Sequence, residues 1–386
     1  MEHAIEIGRC GRFWSVPNPP VGCVLVQQDT IAAAGFTQPA GQPHAEIMAL
    51  QAIDDARGMT AYVTLEPCNH HGRTPPCTEA LIQAGINRVV VALEDPNPEV
   101  SGQGISRLRG AGIAVEVGLL ADEVEGDLAG FLLRMRRGWG RITLKVATSL
   151  DGRSAMASGE SQWITGETAR RDVQLWRAQS DAIVTGVNTV MTDNCKLTVR
   201  AHDLPLQDTD KSRALAYPPT RIVLDSKGRT PHHAAVLEGA QTIVVTTGAT
   251  DFPASVHVES VASDDAGCVS LKDWIRLLGK AQFNEILVEA GPTLSGALIR
   301  EGWVDRLLWY QAPKLLGVSA RPVADFDVAL LSDAPDFTLQ DVTRIGEDLR
   351  IIATRAGLQA DYGVESASHK GFRGITVIVQ SIGRIA

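Results

Sequence analysis

One imidazole and two thiols near the start of the chain could hold a metal ion: His44, Cys68 and Cys77. Structural zinc is normally closed by four protein ligands, whereas catalytic zinc keeps a position open for water. A Cys₂His set with a carboxylate close by therefore points to hydrolysis, and Glu46, in His44-Ala45-Glu46, is that carboxylate. His70 and His71 lie between the two cysteines and are alternative ligands. With one of them as a fourth ligand, the zinc would be closed and structural, and the protein a zinc-stabilised binding protein.

These residues need elements to position them. Val21 to Val26, Ala61 to Leu65 and Arg88 to Leu93 are short runs suited to buried strands. Between them, Ala45 to Arg57 places Ile47, Leu50 and Ile53 at helical spacing, and Thr78 to Ala84 forms a second helical pattern that Gly85 ends. The alternation predicts an α/β sheet covered by helices. His44 then begins one helix, with Glu46 on its first turn, and the metal sits where two helices start. Free amides and the helix dipole favour thiolates there.

A fourth strand, Ala114 to Val117, leads into an acidic helical stretch to about Met135 and then into Arg136-Arg137-Gly138-Trp139-Gly140. A basic, glycine-flanked segment between two apolar patterns marks a joint, set near Gly138. The expected units are residues 1–138, residues 139–356 and a tail, 357–386. In the tail, Ile375 to Val379 could add a strand.

In the second unit, Ile142 to Ala147, Ala182 to Thr185, Arg221 to Leu224, Thr242 to Val245 and Glu285 to Glu289 read as strands. Glu167 to Arg177 and Leu271 to Leu278 read as helices. The pattern predicts a largely parallel sheet with a ligand crevice at its carboxyl edge. Ala290 to Ala297 follows the last strand and opens a helix. Such a turn can accept phosphate on free amides, or be an ordinary strand-to-helix connection.

The chain has 386 residues, enough for two domains, and a net charge of −9. Its arginines are scattered, so a polynucleotide partner is not expected and a free, nucleotide-like small molecule is. The six cysteines, Cys10, Cys23, Cys68, Cys77, Cys195 and Cys268, make no dense disulfide framework. There is no basic segment followed by an apolar core at the amino terminus, and no apolar run of membrane-spanning length. The expectation is a cytoplasmic protein without a membrane partner. A homo-oligomer is compatible with the sequence.

His-x-Glu followed by Pro-Cys and a further Cys resembles the zinc-dependent nucleobase deaminases, which use the glutamate as a proton shuttle. Here eight residues separate the cysteines, Asn69-His70-His71-Gly72-Arg73-Thr74-Pro75-Pro76. With Glu66 before Pro67, this segment resembles the deaminase half of the bifunctional riboflavin-biosynthesis deaminase/reductases. The second unit resembles their reductase half in Lys145, Ser149 to Arg153, Ser158 to Thr165, Leu197 to Arg200, Val288 to Leu294 and Ala312 to Gly317. The likeness runs to about Ala356. A deaminase of another small base, with a second domain of unrelated use, is the nearest alternative.

The resemblance implies a cytidine-deaminase-like α/β/α sandwich followed by a dihydrofolate-reductase-like α/β domain, with zinc and NADPH as cofactors. It implies deamination of 2,5-diamino-6-ribosylamino-4(3H)-pyrimidinone 5′-phosphate, then reduction of its ribosyl group to ribityl. Zinc would be held by His44, Cys68 and Cys77, and Glu46 would be catalytic. Asn18, His70, Arg73, Asp95 and Asn97 would contact the substrate in the first domain, although Glu94 to Pro98 also reads as a plain turn. Ser161, Arg177, Leu197, Arg200 and Glu289 would contact the substrate in the second domain, the two arginines suiting its phosphate. Ala147, Trp163, Thr189, Asp193, Ser226, Gly291, Pro292, Thr293, Leu294, Ser295, Gly296 and Ala297 would contact NADPH. One departure from the family pattern stands out: Asn194-Cys195-Lys196 replaces an Asp-Pro ahead of Leu197 and removes a rigidifying proline.

Overall fold

The computed structural model describes residues 1–70, 75–97, 100–239 and 241–358. Arg73, His71 and the tail strand expected at Ile375 to Val379 lie outside the described residues.

The first half runs α1 (Glu2–Arg9), β1 (Gly22–Gln27), β2 (Thr30–Phe36), α2 (Ala45–Gln51), β3 (Thr60–Leu65), α3 (Cys77–Gln83), β4 (Arg88–Leu93), α4 (Gln103–Gly110), β5 (Ala114–Val117) and α5 (Ala121–Arg137). Its five-stranded sheet has the order β2-β1-β3-β4-β5. β1 is antiparallel to both neighbours, while β3, β4 and β5 are parallel. The β-branched Val63, Val89 and Val91 share a buried core with Leu81 from α3 and Leu128 and Leu132 from α5. Each leucine fully buried in this way contributes about 1.5–3 kcal/mol relative to exposure.

α2 is shorter than the helical pattern predicts. Asp55 Oδ1 accepts the Arg57 backbone N–H at 3.0 Å, a local turn that competes with continuing the helix past Gln51. α3 ends where expected, with Gly85 at φ 71°. α5 carries Asp122 and Glu123 in its first turn and Arg134, Arg136 and Arg137 in its last, matching the helix dipole, and stops at Gly138 with φ 92°.

The second half continues with β6 (Arg141–Thr148), β7 (Arg153–Ala155), α6 (Glu167–Ala178), β8 (Ala182–Gly186), α7 (Val187–Asp193), α8 (Asp208–Ala216), β9 (Thr220–Leu224), β10 (Thr242–Thr246), β11 (His257–Ser260), α9 (Leu271–Lys280), β12 (Glu285–Val288), α10 (Pro292–Arg300), β13 (Arg306–Gln311), β14 (Arg321–Pro322), β15 (Phe337–Ile345) and β16 (Asp348–Arg355). A nine-stranded sheet has the order β11-β10-β9-β8-β12-β6-β13-β16-β15. Pairing is parallel from β11 to β13, and the β15–β16 hairpin is antiparallel. Ile142, Leu144, Ile222, Ile286 and the fully buried Trp274 form a separate core. The carboxyl ends of β6, β8, β9 and β12 therefore point to one edge, where a crevice opens.

Candidate active sites

His44 is the residue immediately before α2, and Cys77 is the first residue of α3. Cys68 lies in the loop after β3, and its Sγ accepts the Cys77 backbone N–H at 3.4 Å. The His44 Nδ1 stands 3.6 Å from the Cys68 Sγ and 3.4 Å from the Cys77 Sγ. Zinc bonds of about 2.0–2.1 Å to nitrogen and 2.3 Å to sulfur, at tetrahedral angles, would set that edge near 3.5 Å. The donor atoms thus have the type and spacing that zinc needs. Among the described residues these three form the one group of this kind, and neither His70 nor Glu46 belongs to it.

Hydrogen bonds from Cys77 and His44 hold the Cys68 thiol well below the ordinary range, while its bond to Cys68 and burial push Cys77 up. Glu46 is buried on the first turn of α2. Burial and the negative charge of Cys68 raise its pKa, which suits a group that carries a proton.

The remaining residues expected in this site divide unevenly. Asp95 is buried, and its Oδ1 accepts the Asn97 N–H at 2.9 Å. Burial pushes its carboxyl up to about 6. The His70 Nδ1 is shielded from solvent and has no hydrogen-bond partner among the described residues. Asn18 occupies the tight segment between α1 and β1, its backbone N–H bonded to the Ser15 carbonyl at 2.8 Å. Sequence reasoning missed the role of Glu66. Its carboxylate accepts N–H groups from Asp95, Gly102 and Ile105 at 3.0–3.2 Å, and so ties the Asp95 turn to the start of α4. A glutamate directly closing an apolar strand run, ahead of Pro67, was the available signal.

At the carboxyl edge of the second sheet lies a cavity of about 1210 Å³. This is more than an ordinary single-ligand pocket of roughly 300–1,000 Å³. Every residue expected in the second site lines it except Ser295 and Gly296. Those two face inward instead. The Ser295 hydroxyl donates to the Ala290 carbonyl at 3.3 Å, and a Cβ at Gly296 would collide with the backbone of Asp325.

Arg177 and Arg200 play different parts. Arg177 forks onto Glu289, Nε to Oε1 at 2.6 Å and Nη2 to Oε2 at 3.0 Å, and its Nη1 donates to the Thr198 carbonyl at 3.0 Å. Lys145 approaches the same carboxylate at 3.8 Å. Burial opposes ionisation of Glu289, but Arg177 and Lys145 outweigh it and hold the carboxyl down at about 2. Burial lowers the Lys145 ammonium, partly offset by Glu289. Arg200 is 42% exposed and, among the described residues, its side chain bonds Asp203 through Nε alone, which leaves its terminal nitrogens for a ligand.

The other expected residues sit on the wall. Trp163 lies on the rim under Arg170, 4.4 Å from the ring centre. Ser226 accepts the Val269 N–H at 2.9 Å. Leu197 is buried with φ 51°, a conformation that costs a non-glycine residue about 1–2 kcal/mol and is tolerated mainly at functional sites. Asn194 compensates for the missing proline: it ends α7 at φ 45°, and its side chain accepts the Ala235 N–H at 2.9 Å. Not foreseen were Gln174, Tyr310 and the half-buried Cys195, which also reach the cavity.

The cytidine and deoxycytidylate deaminase zinc-binding region family matches residues 1–93, and the RibD C-terminal domain family matches residues 141–351. The riboflavin biosynthesis protein RibD of Escherichia coli (strain K12) is 48% identical over 360 residues, covering 90% of this chain and 96% of that protein. The chain belongs to the RibD family. RibD of Haemophilus influenzae is 44% identical, with 93% and 97% covered. Among solved structures, Acinetobacter baumannii RibD superposes with a TM-score of 0.84 at 43% identity, covering 92% of this chain and 97% of that one. A diaminohydroxyphosphoribosylaminopyrimidine deaminase/5-amino-6-(5-phosphoribosylamino)uracil reductase from Thermotoga maritima gives 0.80 at 32% identity, with the same coverage. As in the RibD family, one chain carries a zinc-binding deaminase domain and a reductase domain.

Proposed function

We propose that residues 1–138 deaminate 2,5-diamino-6-ribosylamino-4(3H)-pyrimidinone 5′-phosphate and that residues 139–356 reduce the ribosyl group of the product to ribityl. The observation that carries this reading is the zinc-sized triangle of His44, Cys68 and Cys77 beside the buried Glu46, in a chain that also holds a dinucleotide-sized cavity. The partner is a phosphorylated small molecule, and nucleic acid is not one. No described helix is long and apolar enough to cross a membrane. We place the enzyme in the cytoplasm.

His44, Cys68 and Cys77 would hold the zinc. Zinc supplies acidification of a water molecule, bringing its pKa toward neutrality. Glu46 would take a proton from the attacking water and pass it to the ring nitrogen, then take the proton of the newly added hydroxyl and pass it to the departing ammonia. Asn18, His70, Arg73, Asp95 and Asn97 would orient the ring and ribose phosphate. Incubation with the pyrimidinone substrate in the absence of NADPH tests this half. The aminouracil should accumulate, and intact substrate would contradict the reading.

In the second domain, the Gly291 to Leu294 turn at the start of α10, with Ala147, Trp163, Thr189, Asp193, Ser226 and Ala297, would hold the dinucleotide. NADPH supplies the hydride. Arg177 and Lys145 fix the Glu289 carboxylate against the substrate, while Leu197 and Ser161 shape its berth. Lys227, Arg229 and Arg321 add cationic groups to the wall, which suits the extra phosphate of NADPH. We expect kcat/KM with NADPH to exceed that with NADH at least ~10-fold, the scale of one charge-assisted contact. Equal values in steady-state assays would contradict the assignment.

Arg200 is the better phosphate anchor, because the Arg177 fork is already committed to Glu289. Arg200→Ala should lower reductase kcat/KM by about one to two orders of magnitude and erase the preference for the phosphorylated substrate over its dephosphorylated analogue. Arg177→Ala should lower reductase activity as well, since it leaves the buried Glu289 without its hydrogen-bonded partner and with only the more distant charges of Lys145 and Arg200. Deaminase kinetics should hold in both variants. If both keep the wild-type preference for phosphate, the phosphate is bound elsewhere.

A further inference from the structure

The Pro17 carbonyl receives two hydrogen bonds across the joint between the domains. Arg134, near the end of α5, donates from Nη2 at 2.7 Å, and Asn284, the residue before β12, donates from Nδ2 at 3.3 Å. The two donors are locked to each other, because the Arg134 Nε donates to the Asn284 Oδ1 at 2.7 Å. That bond also fixes which end of the amide faces Pro17. Both side chains are buried.

Asn284 is itself held rigidly by the second domain. Its backbone N–H donates to the Asp181 Oδ2 at 2.6 Å, the Glu285 N–H donates to the same oxygen at 2.9 Å, and its carbonyl accepts the Arg141 N–H at 2.7 Å. The close approach of α5 to this corner requires glycine, since a Cβ at Gly130 would meet the Asn284 carbonyl. The segment they grip is less well supported from behind. A cavity of about 210 Å³ lies between the domains, and Ser15, Val16 and Pro20 form part of its wall. Packing is therefore incomplete on that side of the segment, and the bonds to Pro17 add a tether there.

Pro17 immediately precedes Asn18. We infer that Arg134 and Asn284 are positioning residues for the deaminase: the second domain, through Asn284, sets the pose of the segment that presents Asn18 to the pyrimidine. This rests on the reading of Asn18 as a substrate contact. The reductase domain thus completes the deaminase site.

Asn284→Asp tests this in the intact enzyme. The carboxylate keeps its bond to Arg134 but turns an acceptor toward the Pro17 carbonyl, so a donor is replaced by a repulsion. The deaminase KM for the phosphorylated pyrimidinone should rise about 5- to 20-fold, the equivalent of one to two neutral hydrogen bonds. Deaminase kcat, zinc content and reductase kinetics should stay near wild type. Arg134→Gln, whose shorter side chain no longer brings a donor to the Pro17 carbonyl, should give the same split, and Asn18→Ala should give a KM effect at least as large. Three results would overturn the inference. Unchanged deaminase KM in Asn284→Asp and Arg134→Gln, with Asn18→Ala impaired, removes the clamp but keeps the reading of Asn18. Normal KM in Asn18→Ala removes that reading and the clamp with it. A parallel fall of both activities and zinc content makes the contacts merely structural.

Discussion

Replacing Glu46 with glutamine abolishes deamination and leaves zinc bound: that is the expected result, with a loss of at least ~100-fold in deaminase kcat. The amide preserves the size and burial of the side chain, so the first turn of α2 and the neighbouring Cys23 and Ala49 keep their packing. It cannot take up and release protons. Because Glu46 is not among the ligand atoms that cluster at His44, metal content should remain stoichiometric. NADPH-dependent reduction of the aminouracil by the same variant should be unaffected. Steady-state ammonia release and metal analysis on one preparation check both halves. Near-normal deamination would remove Glu46 from the mechanism.

The second large effect belongs to the cysteines. Cys68→Ser and Cys77→Ser each replace a thiolate by a weak, neutral ligand, and Cys77→Ser also unsettles the start of α3. Zinc and deaminase activity should both be lost, the latter below detection. Reductase activity should stay within about twofold of wild type, because the second sheet has its own core and could in principle fold alone. Metal analysis beside the two assays decides. If the double variant retains one zinc per chain, the ligands must include His70 or His71. If reductase activity collapses with the zinc, the domains do not fold independently.

The parts of the chain legible in sequence are those where burial and chemistry coincide. β4 and β8 are continuous β-branched runs because both faces are covered, and α9 shows clean helical spacing because Leu271, Trp274, Ile275 and Leu278 all bury. β2 was not legible. It reads Thr-Ile-Ala-Ala-Ala-Gly-Phe, since α2 lies so close that a Cβ at Gly35 would meet the Ala45 carbonyl, and small residues carry no strand signal. The hairpin β15–β16 was missed for the opposite reason. It lies at the sheet edge with most of β15 exposed, so charged residues such as Asp341 and Arg344 interrupt any alternation.

The candidate sites show the same division. His44, Cys68 and Cys77 have residue types and a spacing that name their chemistry, and the structure brings their donor atoms together. The reductase wall is assembled from residues far apart in sequence, and periodicity says nothing about which of them turn inward. Ser295 and Gly296 follow the turn in sequence but point into the protein, because α10 has begun and rotates them away. Arg177 was read as a phosphate anchor, and only the fold shows that Glu289 occupies its fork.

The most direct test of two activities in one chain is the ratio of ammonia released to NADPH consumed when the zinc-loaded enzyme meets 2,5-diamino-6-ribosylamino-4(3H)-pyrimidinone 5′-phosphate. Without NADPH, ammonia alone should appear. With NADPH, the two should reach a ratio of about one to one, with ammonia leading, because the second domain acts on the product of the first. Ammonia release with no NADPH oxidation would reduce the protein to a deaminase with a second domain of other use. Zinc binding with neither activity would contradict the account entirely.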